Sequence, residues 1–407
     1  MGDRVPVEEQ SMPAKLSSLD VPKVKVSHRG AQRLKAGHVW VYRSDVVAAD
    51  GIAPGSLVDV VDEKGRFLGT AFYSTASQIA IRWLSRDPVR EPEEMLRQRI
   101  RDAVAYRERV VQDSDAYRVV FSEGDFLPGL IVDRYADLLA VEILTQAMDQ
   151  ESMRAAIVSQ LGDALRPTAI LERSEPKIRE LEQLPPRASG LLLGEKTNTV
   201  FSMNGIKFYY DGLGGQKTGA FLDQRENYAA AAQYGHGEAL DVFCYQGAFA
   251  LHLVRGGSKV TGVDSSRPAL EVADRNAELN GCAIEWIEGN AFDLLRDYSA
   301  AGHRYDTIVL DPPAFARNRS TLETALRGYK ELNLRAIRML RPGGILITCS
   351  CSYHVSEADF FRVICEAAHD NRRNLRILES RTQAKDHPIL CGVPETAYLK
   401  CVISHVS

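Results

Sequence analysis

The chain has 407 residues, of which 45% are hydrophobic and 26% are charged, and its net charge is −4. This length suits about two or three globular domains, and the ordinary composition lets each domain bury its own core. The sequence contains no apolar run of the ~18 residues that a membrane-spanning helix needs. All seven cysteines lie in the C-terminal half without a C-x-x-C pair, which indicates reduced thiols and a cytoplasmic protein.

The N-terminal part of the chain predicts a lead-in followed by a β-rich domain. Residues 1–20 have little apolar content and no export core, so we expect a disordered segment that is not a secretion signal. In residues 21–90, stretches such as KVKVSH and QIAIRWL are rich in β-branched and aromatic residues, and turn residues separate them. This pattern predicts a small barrel or sandwich.

This first domain is basic although the whole chain is acidic. Residues 21–44 contain six basic and no acidic residues, and residues 21–110 contain 16 basic and 11 acidic ones. Such a surplus of positive charge can bind the phosphate backbone of a nucleic acid. Random clustering of charges on a solvated surface is the alternative. The candidate RNA-binding residues are Lys23, Lys25, Arg29, Arg33, Lys35 and Arg43.

Residues 91–198 predict a linking α+β domain. Met95, Ile100 and Val104 recur at helical spacing, and DFLPGLIVDRYADLLAVEIL predicts two strands joined by a turn at residues 134–137. MRAAIVSQLGDAL predicts a second helix, and TAILER predicts another strand. No constellation there indicates catalysis, so the expected role is packing or the positioning of RNA.

Residues 199–407 predict a catalytic domain, because strand and helix patterns alternate from Glu238 onward. In a doubly wound sheet the cofactor lies beyond the carboxyl ends of the central strands. The turn in DVFCYQGAF has a single glycine, Gly247, whereas a dinucleotide-binding loop has G-x-G-x-x-G. S-adenosylmethionine lacks phosphates and fits such a turn better than a dinucleotide does.

Polar side chains follow four successive predicted strands of this domain. Asp241 follows the first, and Asp264, at the end of the second, is placed to bind ribose hydroxyls. After the third strand, Asn290 can bond an adenine edge and Phe292 can cover its face; Asp311 of DPPAF ends the fourth. Each residue alone fits a helix cap, a core position or a turn. Together they predict a class I methyltransferase fold.

The stretch ILITCSCSYHVSE carries two cysteines at the end of a predicted strand. Alternation along the strand places Cys349 and Cys351 on one face and Ser350 and Ser352 on the other. Either both cysteines are small buried residues, or one is a reactive thiol at the carboxyl end of the sheet. A zinc site that includes His354 is a third alternative, but no metal is predicted.

Seven motifs together resemble those of a known family over nearly the whole chain. They are RLKAGHVWVYRSDV, EGDFLPGLIVDRY, GGQKTGAFLDQREN, DVFCYQGAFAL, DPPAFARNRSTLETALRGYKELN, SCSYHV and KDHPILCGVPETAYLK. The sequence resembles the bacterial 23S ribosomal RNA 5-methylcytosine methyltransferases with an N-terminal PUA domain. The resemblance implies a PUA domain, a linking domain and a Rossmann-like, seven-stranded catalytic domain that uses S-adenosylmethionine. It implies that the partner is large-subunit ribosomal RNA or a pre-ribosomal particle and that no membrane takes part. The oligomeric state stays open, and a homodimer is one of the alternatives.

The resemblance also assigns residues. It implies a nucleophile at Cys351, between the two serines of SCS, and makes Cys349 an additional thiol. Asn290 departs from the family, which often has aspartate there, and residues 1–20 have no counterpart. The implied cofactor residues are Asp241, Phe243, Gln246, Gly247, Asp264, Asn290, Phe292, Asp311, Phe221, Asp223 and Arg225.

The chemistry of cytosine explains why a thiol is needed. Carbon 5 is a poor nucleophile until a thiolate adds to carbon 6, and we assign that addition to Cys351. Asp311 can hold a proton on ring nitrogen 3 while negative charge builds there. Because a nearby carboxylate disfavours the thiolate, a cation is expected, and Lys330 is the candidate. Asp386 or His387 of KDHP is a candidate final base, with a turn role as the alternative.

Three other functions remain open from the sequence. An exocyclic amino-group methyltransferase needs no thiol, but it uses an aromatic residue directly after Pro-Pro, and here Ala314 intervenes. A non-catalytic RNA-binding or ribosome-assembly factor would bind the cofactor without turnover. A small-molecule methyltransferase would leave the basic N-terminal domain without a role.

Overall fold

The computed structural model describes residues 21–214, 220–316 and 318–407. The disorder predicted for residues 1–20 lies outside these ranges, as do residues 215–219 within the motif GGQKTGAFLDQREN. The described residues form three larger sheets and one hairpin.

The N-terminal sheet has six strands in the order β2-β6-β5-β4-β1-β3. They are β1 (Lys23–Val26), β2 (Trp40–Tyr42), β3 (Val46–Ala48), β4 (Leu57–Val61), β5 (Phe67–Tyr73) and β6 (Ile79–Ser85). Alternate β-branched residues such as Val24 and Val58 fill its core. Helix α1 (His28–Lys35) was not predicted, because its largely basic sequence buries only Gly30 and Ala31 and gives almost no apolar period.

The central sheet has five strands in the order β11-β10-β9-β8-β7, with two long helices packed together beside it. Its elements are α2 (Pro92–Val110), β7 (Ala116–Phe121), β8 (Leu130–Tyr135), β9 (Leu138–Ile143), α3 (Glu151–Leu165), β10 (Ala169–Glu172), α4 (Pro176–Leu181) and β11 (Gly190–Leu193). The predicted helices and the predicted turn between β8 and β9 are present. Leu96 and Ile100 of α2 are fully buried against Val119 and Val132 of the sheet.

Buried charges join the N-terminal and central sheets. Trp40 Nε1 donates to Glu123 Oε1 at 2.9 Å, and the Arg82 guanidinium bridges Glu123 (2.7 Å) and Glu182 (3.1 Å). Truncating one member of such a network leaves a buried charge unpaired, which typically costs about 3–5 kcal/mol. The network therefore holds the two sheets in one orientation.

A hairpin of β12 (Asn198–Met203) and β13 (Ile206–Asp211) joins the central sheet to the catalytic sheet. The rings of Tyr135, on β8, and Tyr210, on β13, stack with centroids 3.9 Å apart. The same apolar cluster includes Leu222 and Phe249 of the catalytic part. One continuous core therefore supports both sheets.

The catalytic sheet has seven strands in the order β16-β15-β14-β17-β18-β20-β19, and only β20 runs antiparallel to its neighbours. The strands are β14 (Glu238–Val242), β15 (Lys259–Asp264), β16 (Glu285–Glu288), β17 (Tyr305–Leu310), β18 (Leu340–Ser350), β19 (Leu375–Arg381) and β20 (Lys400–Val406). The helices are α5 (Arg225–Tyr234), α6 (Ala248–Arg255), α7 (Arg267–Leu279), α8 (Ala291–Ala301), α9 (Leu322–Met339) and α10 (Glu357–Asp370).

Two details of this domain differ from the sequence analysis. Helix α8 was not predicted, although its Asn290 cap is a helix-start signal. The Pro-Gly-Gly predicted to close the long helix α9 lies instead within β18, since α9 ends at Met339. Both differences leave the carboxyl ends of the strands where the sequence pattern predicts them.

Candidate active site

The candidate site lies where the strand order reverses. β14 pairs with β15 on one side and with β17 on the other, and the carboxyl ends of these parallel strands open the crevice of a doubly wound sheet. Gly247 begins α6 with φ of +80°, and a Cβ there would lie 2.6 Å from Trp286 Cη2. Only glycine fits this turn.

Asp241 lies at the floor of the crevice and is fully buried. Its Oδ2 accepts a hydrogen bond from the Ala250 backbone N–H at 2.9 Å, and its Oδ1 is buried without a partner among the described residues. Burial, together with the charge of Asp311, raises the pKa of Asp241 to about 8. An unsatisfied buried acceptor is the kind of atom that a donor on a ligand would complete.

Asp264 and Asn290 hold the loops at the neighbouring strand ends. The Asp264 carboxylate accepts from the backbone N–H groups of Tyr245 (2.9 Å) and Ser266 (2.8 Å). Its oxygens retain lone pairs that two hydroxyls can use. Asn290 Oδ1 caps α8 by accepting from the Phe292 N–H at 2.9 Å, so an adenine edge would meet its amide NH₂ group.

Exposed aromatic rings line the rim of the crevice. Phe292 is 37% exposed with its ring 6.0 Å from that of Phe315, and Phe221 is 38% exposed with its ring 5.1 Å from that of Tyr245. An exposed aromatic ring at the rim of a crevice can stack on the face of a planar ligand ring. One cavity is lined by Phe221 together with three other predicted residues, namely Phe243, Gln246 and Asp311.

Gln224, which the sequence analysis did not select, positions Asp311. Its Nε2 donates to Asp311 Oδ1 at 3.0 Å, and its Oε1 accepts from Asn227 Nδ2 at 2.6 Å. Burial and the charge of Asp223 raise the pKa of Asp311 to about 7, although the Gln224 bond opposes this. Gln224 adjoins Asp223 in FLDQR, so the motif itself was the available signal.

Arg225 was predicted to contact the cofactor, and the structure corrects this. Its guanidinium is buried and pairs with Asp386 at 3.0 Å. Burial opposes ionisation of Asp386, but the adjacent His387 and Arg225 hold its pKa below the ordinary value. Asp386 and His387 are both almost fully buried, which does not fit a base that reaches a substrate. Asp223, the other charged residue of FLDQR, is not paired with Asp386 in this way; it accepts a hydrogen bond from the Tyr398 hydroxyl at 2.7 Å.

The two cysteines of SCS occupy different environments. Cys349 is fully buried opposite Cys401 of β20, and burial raises the pKa of its thiol well above the ordinary value. Cys351 follows the last residue of β18, is half-buried, and has its Sγ 3.9 Å from the carbonyl oxygen of Pro312. The structure therefore brings Cys351 to the loop that follows Asp311.

The serines on either side of Cys351 are anchored on the opposite face, as alternation predicts. The Tyr329 hydroxyl lies 3.0 Å from Ser350 Oγ and 3.0 Å from Ser352 Oγ. Ser352 Oγ also accepts from the Ala316 N–H at 3.1 Å. All three hydroxyl-bearing residues are fully buried. This network ties the chain around Cys351 to α9 and to the DPPAF loop.

Lys330 was predicted as the cation beside Cys351, and the structure corrects this as well. Its Nζ lies 3.0 Å from Asp370 and 3.3 Å from Glu366, both on α10, so its charge is used on the outer surface of the domain. Among the lysines that the structure describes, Lys400, at the start of β20, is the one whose charge interacts with that of Cys351. Its Nζ donates to the carbonyl oxygens of Ser352 and Val355, just after Cys351.

The six candidate RNA-binding residues divide into exposed and structural groups. Lys23 and Lys35 are exposed, and Lys25 is half-buried. The structure corrects the assignment of Arg43, because its guanidinium donates to the carbonyls of Ser74 (2.7 Å) and Ser77 and so holds a loop. Arg29 pairs with Asp45 at 2.6 Å while remaining exposed, and Arg33 stacks 4.4 Å over the Tyr42 ring.

Two other features are absent from the part of the chain that the structure describes. Within residues 21–214, 220–316 and 318–407, no group of three or more His, Cys, Asp or Glu side chains is arranged to hold a metal. Over the same ranges, no helix combines the length and apolar content needed to cross a membrane.

The strand order and the crevice define a class I methyltransferase that carries an N-terminal β domain. Residues 24–86 match the family model of PUA-like domains, and residues 137–403 match that of S-adenosylmethionine-dependent methyltransferases. Ribosomal RNA large subunit methyltransferase I of Shewanella denitrificans is 38% identical over 397 residues, covering 94% of this chain and 99% of the relative. The enzyme of that name from Klebsiella pneumoniae is 35% identical, covering 93% and 97%. The chain belongs to this family.

Solved structures support the same fold. A methyltransferase from Streptococcus mutans superposes with a TM-score of 0.80 at 19% identity, covering 95% of this chain and all of that one. SMU.776, a methyltransferase in complex with SAH, has a TM-score of 0.82 at 20% identity, with the same coverage. The predicted fold class is confirmed, and so is S-adenosylmethionine as the cofactor.

The residues of the crevice fit this cofactor. The single-glycine turn at Gly247 provides no pyrophosphate cradle, and none is needed. Asp241 Oδ1 is a buried acceptor that an ammonium group would satisfy, and the Asp264 carboxylate suits ribose hydroxyls. The exposed ring of Phe292 suits the face of a purine.

Proposed function

We propose that the protein methylates carbon 5 of a cytosine in large-subunit ribosomal RNA through a covalent adduct with Cys351. The observation that carries this proposal is the half-buried Cys351 thiol, whose sulfur lies 3.9 Å from the carbonyl oxygen of Pro312, directly after Asp311. Cys349, two residues earlier, is fully buried, so one of the two thiols suits attack on a base.

In the proposed reaction, Cys351 activates the cytosine ring by forming a temporary covalent bond to it. The Cys351 thiolate adds to carbon 6 of the ring, and the electron pair of the carbon 5–carbon 6 bond becomes available at carbon 5. When bound, S-adenosylmethionine supplies an electrophilic methyl group. Loss of the carbon 5 proton to a base and departure of the Cys351 sulfur from carbon 6 then restore the ring.

Asp311 assists the addition. Its pKa of about 7 keeps a substantial protonated fraction at neutral pH, and Gln224 fixes the orientation of the carboxyl group. A protonated Asp311 can donate to ring nitrogen 3 as negative charge builds there. A carboxyl group with an ordinary pKa would be ionised at neutral pH and could only accept a hydrogen bond.

The substrate part of the proposal is supported by the relatives and by the first domain. The relatives are named as large-subunit ribosomal RNA methyltransferases, and residues 24–86 match the PUA-like family. The exposed Lys23 and Lys35 suit phosphate contacts. We therefore expect the partner to be 23S ribosomal RNA or a pre-ribosomal particle in the cytoplasm.

Two measurements test this proposal. The purified chain is incubated with S-adenosylmethionine and 23S RNA from a strain that lacks the gene, and the nucleosides are analysed by mass spectrometry; 5-methylcytosine is the expected product. RNA that contains 5-fluorocytosine should trap a complex linked through the peptide of Cys351, because fluorine cannot leave as a proton does. An N-methylated base without a trapped complex would instead favour the exocyclic amino-group alternative.

A further inference from the structure

The position of Lys400 is set by β20, the strand that runs antiparallel to its neighbours in the catalytic sheet. β20 runs antiparallel to β18, and the register pairs Lys400 with Ser350, the last residue of β18. Cys351 is the next residue along the chain. This register places Lys400 beside the turn that carries the thiol. The side chain of Lys400 is half-buried there.

The hydrogen bonds of Lys400 hold this turn. Its Nζ donates to the carbonyl oxygen of Ser352 at 2.8 Å and to that of Val355 at 2.7 Å. Both carbonyls belong to the segment that leads from Cys351 to α10. Because these bonds fix the ammonium relative to the turn, its charge acts on the thiol from a constant position.

We propose that Lys400 is the positioning residue for the nucleophile: its ammonium favours the thiolate form of Cys351 and fixes the turn that presents it. This inference rests on the proposed function, in which that thiolate attacks the base. A partly desolvated cation is more effective here than an exposed one, because water screens the field of an exposed cation.

The surrounding charges are consistent with this role. Burial lowers the pKa of Lys400 to about 8, whereas negative charge on Cys351 acts in the opposite direction. Burial also raises the pKa of Tyr329 and Tyr398, so both phenols stay neutral where the thiol titrates. The titratable groups that act on the thiol or the ammonium are Tyr329 on α9, Glu357 on α10 and Tyr398 before β20.

The test is the pH dependence of alkylation of Cys351 by iodoacetamide, followed in the full chain by peptide mass spectrometry. Lys400→Gln keeps an N–H donor for the carbonyls but removes the charge, and Lys400→Arg keeps the charge. We expect Lys400→Gln to raise the midpoint for Cys351 by about one unit or more, with alkylation at pH 7 about tenfold slower. Lys400→Arg should retain most of the wild-type midpoint.

Two internal controls make the result specific. Exposed Cys365 should keep its midpoint in every variant, and Lys330→Gln, which removes a lysine paired with Glu366 and Asp370, should leave Cys351 unchanged. An unchanged midpoint in folded Lys400→Gln would overturn the inference. If that variant does not fold, the wild-type chain still decides: the midpoint of Cys351 must lie below that of Cys365, and an equal or higher value refutes the role of Lys400.

Alkylation needs neither RNA nor cofactor, so the two proposals fail separately. A midpoint that depends on Lys400 in a protein that forms no 5-methylcytosine would refute the proposed reaction alone. A protein that forms 5-methylcytosine through Cys351 with a midpoint independent of Lys400 would refute this inference alone.

Discussion

The N-terminal sheet and the crevice of the catalytic sheet hold their charges in opposite ways. On the N-terminal sheet and its helix α1, Lys23 and Lys35 are exposed, so water and salt screen them. In the crevice Asp241 is fully buried and Asp311 is half-buried, and their pKa values are raised to about 8 and about 7. Screened charges suit contacts to phosphate at many positions along a strand, whereas desolvated groups suit chemistry on one base.

Arginine and aspartate side chains in both regions also do structural work. Arg43 donates hydrogen bonds to the carbonyl oxygens of Ser74 and Ser77 and so holds a loop. Asp264 likewise accepts hydrogen bonds from the backbone N–H groups of Tyr245 and Ser266. The difference is that a carboxylate retains lone pairs after two such bonds, whereas a guanidinium bound to carbonyls has fewer donors left for phosphate. A structural bond therefore excludes a ligand role more strongly for Arg43 than for Asp264.

The largest expected effect separates the two thiols of the crevice. Cys351→Ala should lower methylation of ribosomal RNA at least 1000-fold (an order-of-magnitude expectation), because the addition to carbon 6 no longer occurs. Binding of S-adenosylmethionine, followed by calorimetry, should persist. The matched variant Cys349→Ala removes the buried thiol and should cost about 1–2 kcal/mol of unfolding free energy with activity largely retained. The opposite ranking of activities would move the nucleophile to Cys349.

The next effect tests whether Asp311 acts as a proton donor. Since its pKa is about 7, kcat should fall as pH rises through that value. Asp311→Asn should lower kcat at pH 7 by about 100-fold and remove this descending limb. Asp306→Asn, at the opposite end of β17 and paired with Arg341, is the control that should keep the wild-type profile. A descending limb that survives in Asp311→Asn would assign it to another group.

A smaller effect is expected on the N-terminal sheet and its helix α1. Replacing both Lys23 and Lys35 with alanine should weaken RNA binding several-fold and reduce the salt dependence of the logarithm of the affinity by roughly 1–2 units of slope. Arg43→Ala should instead lower the unfolding free energy by about 1–3 kcal/mol, because the loop carbonyls lose their donors, and should keep the slope. Fluorescence binding at several salt concentrations distinguishes these outcomes; equal slopes for all variants would exclude this surface as the RNA contact.

The strand ends could be predicted from the sequence because parallel strands share one carboxyl edge. That rule places Asp241, Asp264 and Asp311 in one crevice without any knowledge of side-chain contacts. Lys400 could not be found in this way, since only the register of β18 with β20 brings it opposite Ser350.

Lys330 was chosen for its place in a motif near DPPAF. Residues one apart on a helix point in different directions, however, and the neighbouring Tyr329 is the one that contacts the serines beside Cys351. Gln224 was missed for a related reason: its function depends on a contact with a residue 87 positions away.

The last effect appears in stability and not in activity or RNA binding, and it concerns how burial of Asp241 alters the free energy of unfolding with pH. The carboxyl group titrates near pH 4 in an unfolded chain and at about 8 in the folded protein. Because the folded state binds this proton more tightly, the contribution to stability is complete below about pH 4 and is lost as pH rises to about 8. The loss is about 1.4 kcal/mol per pH unit within that window.

Asp241→Asn removes this titration while keeping an acceptor for the Ala250 N–H. Relative to wild type, the unfolding free energy of the variant should therefore increase steadily from pH 5 to pH 8 in denaturant titrations. Asp306→Asn is the control: the pKa of Asp306 is lowered in the folded state, so that carboxylate is ionised in both states over this range. Its difference from wild type should be constant, and a constant difference for Asp241→Asn as well would show that the folded protein does not hold the proton on Asp241.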